Sequence, residues 1–330
     1  MLHKFNLKIS NIYKISFLIF YTMFVIQVCS NAQTTNEQSF TKNQNTMNKV
    51  KQIKIGELVF DCRVSGNEAD ELVILLHGFP ESSFMWIDLM EDLSKQGFYC
   101  IAPNMRGYSK DARPKKKKDY QVDFLVDDVM QIAKSEGKDK FHLIGHDWGA
   151  GIGWKLVYDY PQNILSWTGM SVPHLISFAH AISNDDEQKK MSGYIRSFQW
   201  PFFPEFLIRR NDFKLFKDLW VHSSEAEVED YLSIFREKKG LTAALNYYRA
   251  NSNVLKPDAA AADLLGEINV PTLFIWGKND EAIGKTSVEN GHDFMKGYYK
   301  YLELDAGHWL IQSKYDEIYP AILEHLEMFK

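Results

Sequence analysis

The pentapeptide GHDWG at residues 145–149 is the most specific chemical signal in the sequence. It follows the apolar run KFHLI and opens a predicted helix, so Asp147 lies at a sharp strand-to-helix turn. The flanking glycines permit that turn, and a helix N terminus favours a negative charge nearby. A carboxylate held in this way can attack an alkyl carbon and leave an ester on the enzyme, which is chemistry that opens an epoxide or displaces a halide.

A second signal is the peptide HGFPE at residues 77–81, which follows the apolar run LVILL. In this place the backbone N–H groups of Phe79 and Trp148 can together bind the oxygen of a tetrahedral intermediate. The side chains of the same two residues are predicted to contact the substrate. Taken alone, the peptide is also compatible with a simple turn after a strand.

Two polar side chains follow predicted strands near the C terminus. Asp280 comes after the run TLFIW, and His308 comes after the last predicted strand. With Asp147 they give the order nucleophile, acid and base, each at a strand end. The sequence therefore predicts that His308 activates the water that cleaves the ester, while Asp280 fixes the tautomer and stabilises the imidazolium.

The motifs HGFPE, GHDWGA, GKNDE and AGHWL, in this order, resemble those of the α/β-hydrolase-fold epoxide hydrolases over roughly residues 51–330. The resemblance implies an α/β-hydrolase fold, a mostly parallel eight-stranded sheet with an inserted helical cap. It also implies hydrolysis of an epoxide to a vicinal diol through an ester on Asp147.

In that family, two cap tyrosines donate hydrogen bonds to the epoxide oxygen. Their motifs match at Tyr194, four residues before a Phe-Gln pair, and at Tyr248, directly before Arg249. A phenol in an apolar pocket can protonate the alkoxide as the ring opens, which supports the same role on chemical grounds. Tyr247 is an alternative to Tyr248, and either tyrosine taken alone is compatible with a packing role.

The cap segment is also rich in other aromatic residues, which favour an apolar substrate. They are Phe198, Trp200, Phe202, Phe203 and Phe206. Phe198 is predicted to contact the substrate, and part of the set is expected in the interior of the cap. Phe202 departs from the family pattern, which often has a small residue there, so the loop is expected to differ in shape.

Haloalkane dehalogenases share the aspartate nucleophile and are the first alternative. Such enzymes hold the halide with two N–H donors, and Phe79 provides no side-chain donor where an Asn would stand. A fluoroacetate-type dehalogenase fits less well, since Trp148 lies where that group tends to carry Arg. A non-catalytic binding protein on the same fold is disfavoured by the complete set Asp147, Asp280 and His308.

Alternating apolar and helical segments from residue 50 onward predict the parallel sheet that would position these side chains. Between about residues 173 and 261 no strand is predicted. The expected organisation is a signal peptide at 1–32, a disordered tether at 33–49, the first part of the core at 50–172, the helical cap at 173–261 and the second part of the core at 262–330.

The first 32 residues carry three lysines before the apolar run 15–28, and small residues follow it. This pattern predicts a cleaved signal peptide and a periplasmic or secreted protein. An uncleaved membrane anchor is the alternative, whereas stable membrane insertion is not expected after cleavage. The polar segment 33–49 is typical of a disordered tether.

The composition argues against several kinds of partner and cofactor. The formal net charge is -5 and becomes -8 without the three leader lysines, which does not favour nucleic acid. Cys62 and Cys100 show no metal-binding spacing, so no metal or other cofactor is expected. Their strand positions permit either a disulfide or two buried thiols. A homodimer is left open, and the expected ligand is a small apolar epoxide.

Overall fold

Short runs of apolar and β-branched residues form the eight strands of one sheet. The structure is a computed structural model that describes residues 49–252 and 265–330. The strand order is β1-β2-β4-β3-β5-β6-β7-β8; β2 is antiparallel to β1 and β4, and all other neighbours are parallel. The strands are β1 Val50–Ile55, β2 Leu58–Ser65, β3 Glu71–Leu76, β4 Phe98–Pro103, β5 Phe141–His146, β6 Ile164–Met170, β7 Thr272–Gly277 and β8 Tyr299–Leu304.

The central strands are buried on both faces, which explains why their sequences lack polar alternation. Every residue of β4, β5 and β7 is buried, and residues 72–76 of β3 are inaccessible to solvent. Helices cover the two faces of the sheet, as continuous apolar strands require. The predicted α/β-hydrolase fold with a mostly parallel eight-stranded sheet is confirmed.

The helices fall into two groups in the chain. Helices α4 to α9 lie between β6 and β7, and the described part of that segment contains no strand; the other helices alternate with strands or follow β8. The helices are α1 Ile87–Lys95, α2 Val122–Ser135, α3 Trp148–Asp159, α4 Leu175–Asn184, α5 Asp186–Met191, α6 Gly193–Phe198, α7 Phe203–Lys217 with an interruption at 210–213, α8 Glu225–Arg236, α9 Gly240–Ala250, α10 Lys285–Glu289, α11 Leu310–Ser313 and α12 Tyr315–Met328. The division into core and cap stays a prediction.

The predicted signal peptide and nearly all of the predicted tether lie outside the described residues. Within 49–252 and 265–330, no helix is long and apolar enough to cross a membrane. Cys62 and Cys100 lie on adjacent strands but not opposite each other, and both are buried free thiols.

A buried ion pair fixes the loop that follows β4. The guanidinium of Arg106 donates two hydrogen bonds to the carboxylate of Asp128 on α2, at 2.7 and 2.6 Å. Burial raises the pKa of Asp128 to about 6, although Arg106 opposes this rise. Arg106 therefore serves as a loop anchor, because its charge is taken up by Asp128 away from the reacting groups.

Removing one member of this pair should destabilise the fold more than replacing both. We expect Arg106→Met to lower the free energy of unfolding by about 3–5 kcal/mol, since it leaves a buried carboxylate uncompensated. Arg106→Met combined with Asp128→Leu should lower the free energy of unfolding clearly less than Arg106→Met alone. Urea unfolding measures both values, and a double variant that is less stable than the single one would contradict the argument.

Candidate active site

Asp147 lies on a strained turn at the C-terminal end of β5. Its backbone has φ 52° and ψ −114°, a conformation that a residue with a side chain rarely adopts. The turn packs against its neighbours only because glycines, which have no side chain, lie at the points of closest contact. A Cβ on Gly149 would lie 2.1 Å from the carbonyl oxygen of Leu76, and one on Gly78 would lie 2.4 Å from Cβ of Asp147. The glycines therefore let β3 and β5 bring their loops into contact around the carboxylate.

The carboxylate of Asp147 is buried and held by groups from two other loops. Its Oδ1 accepts a hydrogen bond from the backbone N–H of Phe79 at 2.7 Å, and its Oδ2 lies 3.5 Å from Nε2 of His308. Burial raises the pKa of Asp147, but His308, His146 and the Phe79 N–H outweigh it, so the pKa lies below its usual value. The nucleophile is therefore ionised at neutral pH.

His308 is oriented by Asp280. Nδ1 of the imidazole lies 2.8 Å from Oδ2 of Asp280, whose other oxygen accepts the N–H groups of Ala282 and Ile283. Burial lowers the pKa of His308, but the carboxylates of Asp280 and Asp147 raise it well above the ordinary value. The three residues predicted from separate motifs thus lie together at the strand ends, with His308 between the two carboxylates.

Tyr194 and Tyr248 lie together above this constellation. Their rings are in edge contact, with centroids 6.0 Å apart and planes at 78° to each other. Burial, together with the nearby carboxylate of Asp147, raises the pKa of both phenols. Both therefore remain protonated donors at neutral pH. The alternative Tyr247 donates its hydroxyl to the carbonyl of Arg106 at 2.7 Å, so it faces away from this pair.

The residues beside the two tyrosines tie α6 to α9. The side-chain amide of Gln199 donates to the carbonyl oxygen of Tyr248 at 3.0 Å. Arg249 donates to the carbonyls of Phe198 and Trp200, each at 2.9 Å, and pairs with Glu205. The Phe-Gln and Tyr-Arg motifs are therefore structural clamps that hold the two phenols side by side.

The predicted substrate contacts form an aromatic wall next to Asp147. The ring of Phe79 makes edge contacts with Phe198 at 5.7 Å and with Tyr248 at 5.3 Å. Trp148 packs edge-on against Tyr248, with ring centroids 5.1 Å apart. As the first residue of α3, Trp148 also has a backbone N–H without an intrahelical acceptor.

The cap aromatics were predicted to favour an apolar substrate, with part of the set in the interior of the cap, but most of them are exposed to solvent. Phe198 is buried, but Trp200, Phe202 and Phe206 are 61%, 83% and 62% exposed, and Phe203 is also exposed. A run of aromatic residues in a helical segment does not by itself reveal which of them face inward.

A buried polar pair behind the site was missed by the sequence analysis. Oε2 of Glu81, the last residue of HGFPE, lies 3.3 Å from Nδ1 of His146, whose Nε2 bonds to the carbonyl oxygen of His308 at 3.0 Å. Gln312 donates to the other oxygen of Glu81. The contact supports the loop that carries His308. The two motifs HGFPE and GHDWG each contain a further polar side chain, Glu81 and His146, and this could have indicated the pair.

The site consists of side chains and backbone N–H groups. In the part of the chain that the structure describes, no three His, Cys, Asp or Glu side chains are grouped so that they could hold a metal ion. The arrangement provides an ionised carboxylate, an oriented imidazole, an oxyanion donor and two neutral phenols beside one aromatic wall.

Comparison with known proteins agrees with this geometry. The model of the alpha/beta hydrolase fold family matches residues 71–315. Epoxide hydrolase 4 of Homo sapiens is 30% identical over 287 residues, which cover 83% of this chain and 77% of the human protein. Epoxide hydrolase 3 of Mus musculus is also 30% identical, over 80% of this chain and 72% of the mouse protein.

A solved structure of Bacillus megaterium epoxide hydrolase with an inhibitor superposes with a TM-score of 0.76 at 25% sequence identity. The superposition covers 84% of this chain and 100% of that one. The resemblance drawn from the sequence motifs is thereby confirmed, and the chain belongs to the α/β-hydrolase fold and, within it, to the epoxide hydrolase family.

Proposed function

We propose that this enzyme converts an apolar epoxide and water into a vicinal diol through a covalent ester on Asp147. One observation carries the proposal: an ionised, buried carboxylate lies between an oriented imidazole and a pair of protonated phenols. We also propose that helices α4 to α9 act as a cap over the sheet. The aromatic wall of Phe79, Phe198 and Trp148 supports an apolar substrate.

In the first step, Oδ2 of Asp147 attacks a ring carbon and forms a C–O bond, while the bond from that carbon to the ring oxygen breaks. The released alkoxide is strongly basic, and a phenol of Tyr194 or Tyr248 gives it a proton. The second phenol stabilises the resulting phenolate by a hydrogen bond. Oδ1 stays bound to the Phe79 N–H and becomes the ester carbonyl oxygen.

In the second step, His308 removes a proton from water, which attacks the carbonyl carbon of the ester. The N–H groups of Phe79 and Trp148 stabilise the oxyanion, and Asp280 stabilises the imidazolium. The intermediate then collapses: the bond from the carbonyl carbon to the diol oxygen breaks, the imidazolium gives that oxygen its proton, and the carboxyl proton of Asp147 passes to the phenolate. Ester formation also prepares this step, because it removes the charge of Asp147 that helps to raise the pKa of His308. Loss of that charge lowers the pKa of His308 and so favours the neutral imidazole that the second step needs.

The structure also offers an argument against the dehalogenase alternative. A halide would need the indole N–H of Trp148 as a donor, but the ring of Tyr248 packs edge-on against that indole, with centroids 5.1 Å apart. Phe79 cannot provide the second donor, because its side chain is an aromatic ring without an N–H group. The tyrosine pair thus occupies the place where a leaving halide would bind.

We further propose that the protein is exported and that its mature form begins near Gln33, because a lysine-rich start, an apolar run and small residues occur together. N-terminal sequencing of protein from the export pathway tests this. Finding Met1 in a membrane fraction would rule out cleavage.

Removing both phenols should block ring opening selectively. We expect Tyr194→Phe with Tyr248→Phe to slow ester formation by about 100- to 10,000-fold, the usual contribution of a general acid. Each single change should cost less, since one donor remains. Tyr247→Phe is the matched control, because its hydroxyl binds the carbonyl of Arg106. Near wild-type turnover of the double variant would refute the assignment.

Replacing the base should separate the two steps. In His308→Gln, Asp147 can still attack, but water is not activated, so the ester should accumulate. Intact-mass spectrometry after brief exposure to a reactive epoxide should show one added substrate mass, and peptide mapping should place it on Asp147. Asp147→Asn is the control without adduct. Rapid diol formation by unmodified His308→Gln would show that neither residue has the proposed role.

The two steps should also differ in their response to acid. Asp147 has a lowered pKa and stays ionised as the pH falls, whereas His308 must be neutral to accept a proton. Acidification should therefore slow ester hydrolysis before it slows ester formation, and the ester fraction should rise. Rapid-quench measurements over a pH series follow both rates. Loss of ester formation at the higher pH would contradict the pKa order.

A further inference from the structure

The three most exposed large apolar side chains of the described residues lie within seven positions of one another. They are Phe202, Phe206 and Trp200, which are 83%, 62% and 61% exposed. We call these three residues the aromatic patch. These three occupy one turn and the start of α7, where Phe203 is exposed as well, whereas most other exposed apolar residues of the described chain are dispersed in the sequence. Clustered apolar exposure of this kind marks an interaction surface.

The backbone holds the aromatic patch outward. Phe202 has φ 62° and caps α7, a conformation that is unfavourable for a bulky residue. Its carbonyl oxygen accepts the N–H of Phe206, and Arg249 binds the carbonyl of Trp200 from the other side of the turn. The strained turn is therefore fixed, and the fold gains no burial from the Phe202 ring in return.

The charges around the aromatic patch are positive, although the whole chain is negative. Arg196, Arg209 and Arg210 are exposed, and none of them forms an ion pair with a described residue. Glu205, the acidic residue within 196–210, is neutralised by Arg249 at 2.8 Å. The segment thus presents three aromatic rings with three uncompensated arginines on a protein of formal net charge -5.

We propose that the aromatic patch docks the enzyme on the surface of an anionic phospholipid membrane. Trp and Phe side chains favour the boundary between headgroups and acyl chains, and arginines close to it attract anionic headgroups. Docking of this kind is peripheral, because the side chains of one turn enter the headgroup boundary and the backbone stays outside the bilayer.

A second copy of the chain fits the aromatic patch less well. An aromatic side chain buries roughly 150–250 Å². Three partly exposed rings therefore fall short of the roughly 800 Å² that each partner of a stable dimer buries. A two-fold contact would also bring two sets of uncompensated arginines together, which is unfavourable.

Docking would bring the site close to its substrate, a consequence that rests on the proposed function. Trp200 is two residues from Phe198, whose ring contacts both phenols of the site. Apolar epoxides partition into a bilayer, so an enzyme held there by its cap meets a higher substrate concentration. The docking itself requires no activity and can be measured without substrate.

The test uses protein recovered from the export pathway and sedimented vesicles of phosphatidylcholine, with or without phosphatidylglycerol. We expect binding to anionic vesicles that falls at least about 10-fold when Trp200, Phe202 and Phe206 are all changed to Ser. The control, Val50→Ser with Tyr158→Ser and Met328→Ser, removes dispersed apolar residues and should bind as wild type does. Both variants should still hydrolyse a water-soluble epoxide, which shows that they fold.

Two further measurements separate the patch from the leader. Brominated phosphatidylcholine, mixed into anionic vesicles, should quench part of the tryptophan emission of the wild type but not of Trp200→Tyr, and the leader contains no Trp. Arg196→Gln with Arg209→Gln and Arg210→Gln should abolish the preference for phosphatidylglycerol. Equal binding by the wild type and the patch variant would overturn the proposal. So would a dimer that the serine variant disrupts, in the absence of vesicle binding.

Discussion

A carboxylate that must remain ionised while it is buried is the constraint on which the rest of the structure depends. Asp147 is only 7% exposed and lies beneath an aromatic wall, and burial alone would raise its pKa and favour the unreactive acid. The opposing groups come from other loops: the Phe79 N–H after β3 and the His308 imidazole after β8. The charge of one side chain therefore requires that these strands end at the same edge of the sheet.

The core of the site could be predicted from the sequence for this reason. Asp147 directly follows β5, and Asp280 and His308 lie within four residues of the ends of β7 and β8. Parallel strands place their carboxyl ends together. The exact contacts could not be predicted. No sequence pattern shows that residue 78 must lack a side chain so that Asp147 fits, or that Glu81 lies against His146. Both contacts join segments that are far apart in the chain.

The cap was predicted less well, and the reason is also physical. Long apolar runs predict which strands are buried. Which residues of short, interrupted helices face inward depends instead on how the helices pack together. Phe198 and Phe202 are only four residues apart, yet one contacts the phenols and the other points to solvent. The helix is interrupted between them and Phe202 has a positive φ, so helical periodicity does not relate their directions. The bulky residue at 202 indicated a differently shaped loop, but not which way its ring points.

One cluster of hydrogen bonds governs both faces of this part of the cap. Arg249 binds the carbonyls of Phe198 and Trp200 and the carboxylate of Glu205, while its neighbour Tyr248 is clamped by Gln199. On the inner face, the cluster sets the separation of the two phenols. On the outer face, it neutralises the acidic residue among the arginines and fixes the exposed turn. Because the same guanidinium serves both faces, the Tyr-Arg motif determines the packing of the cap as well as the chemistry of the site. Arg249 positions the phenols without touching the reacting atoms.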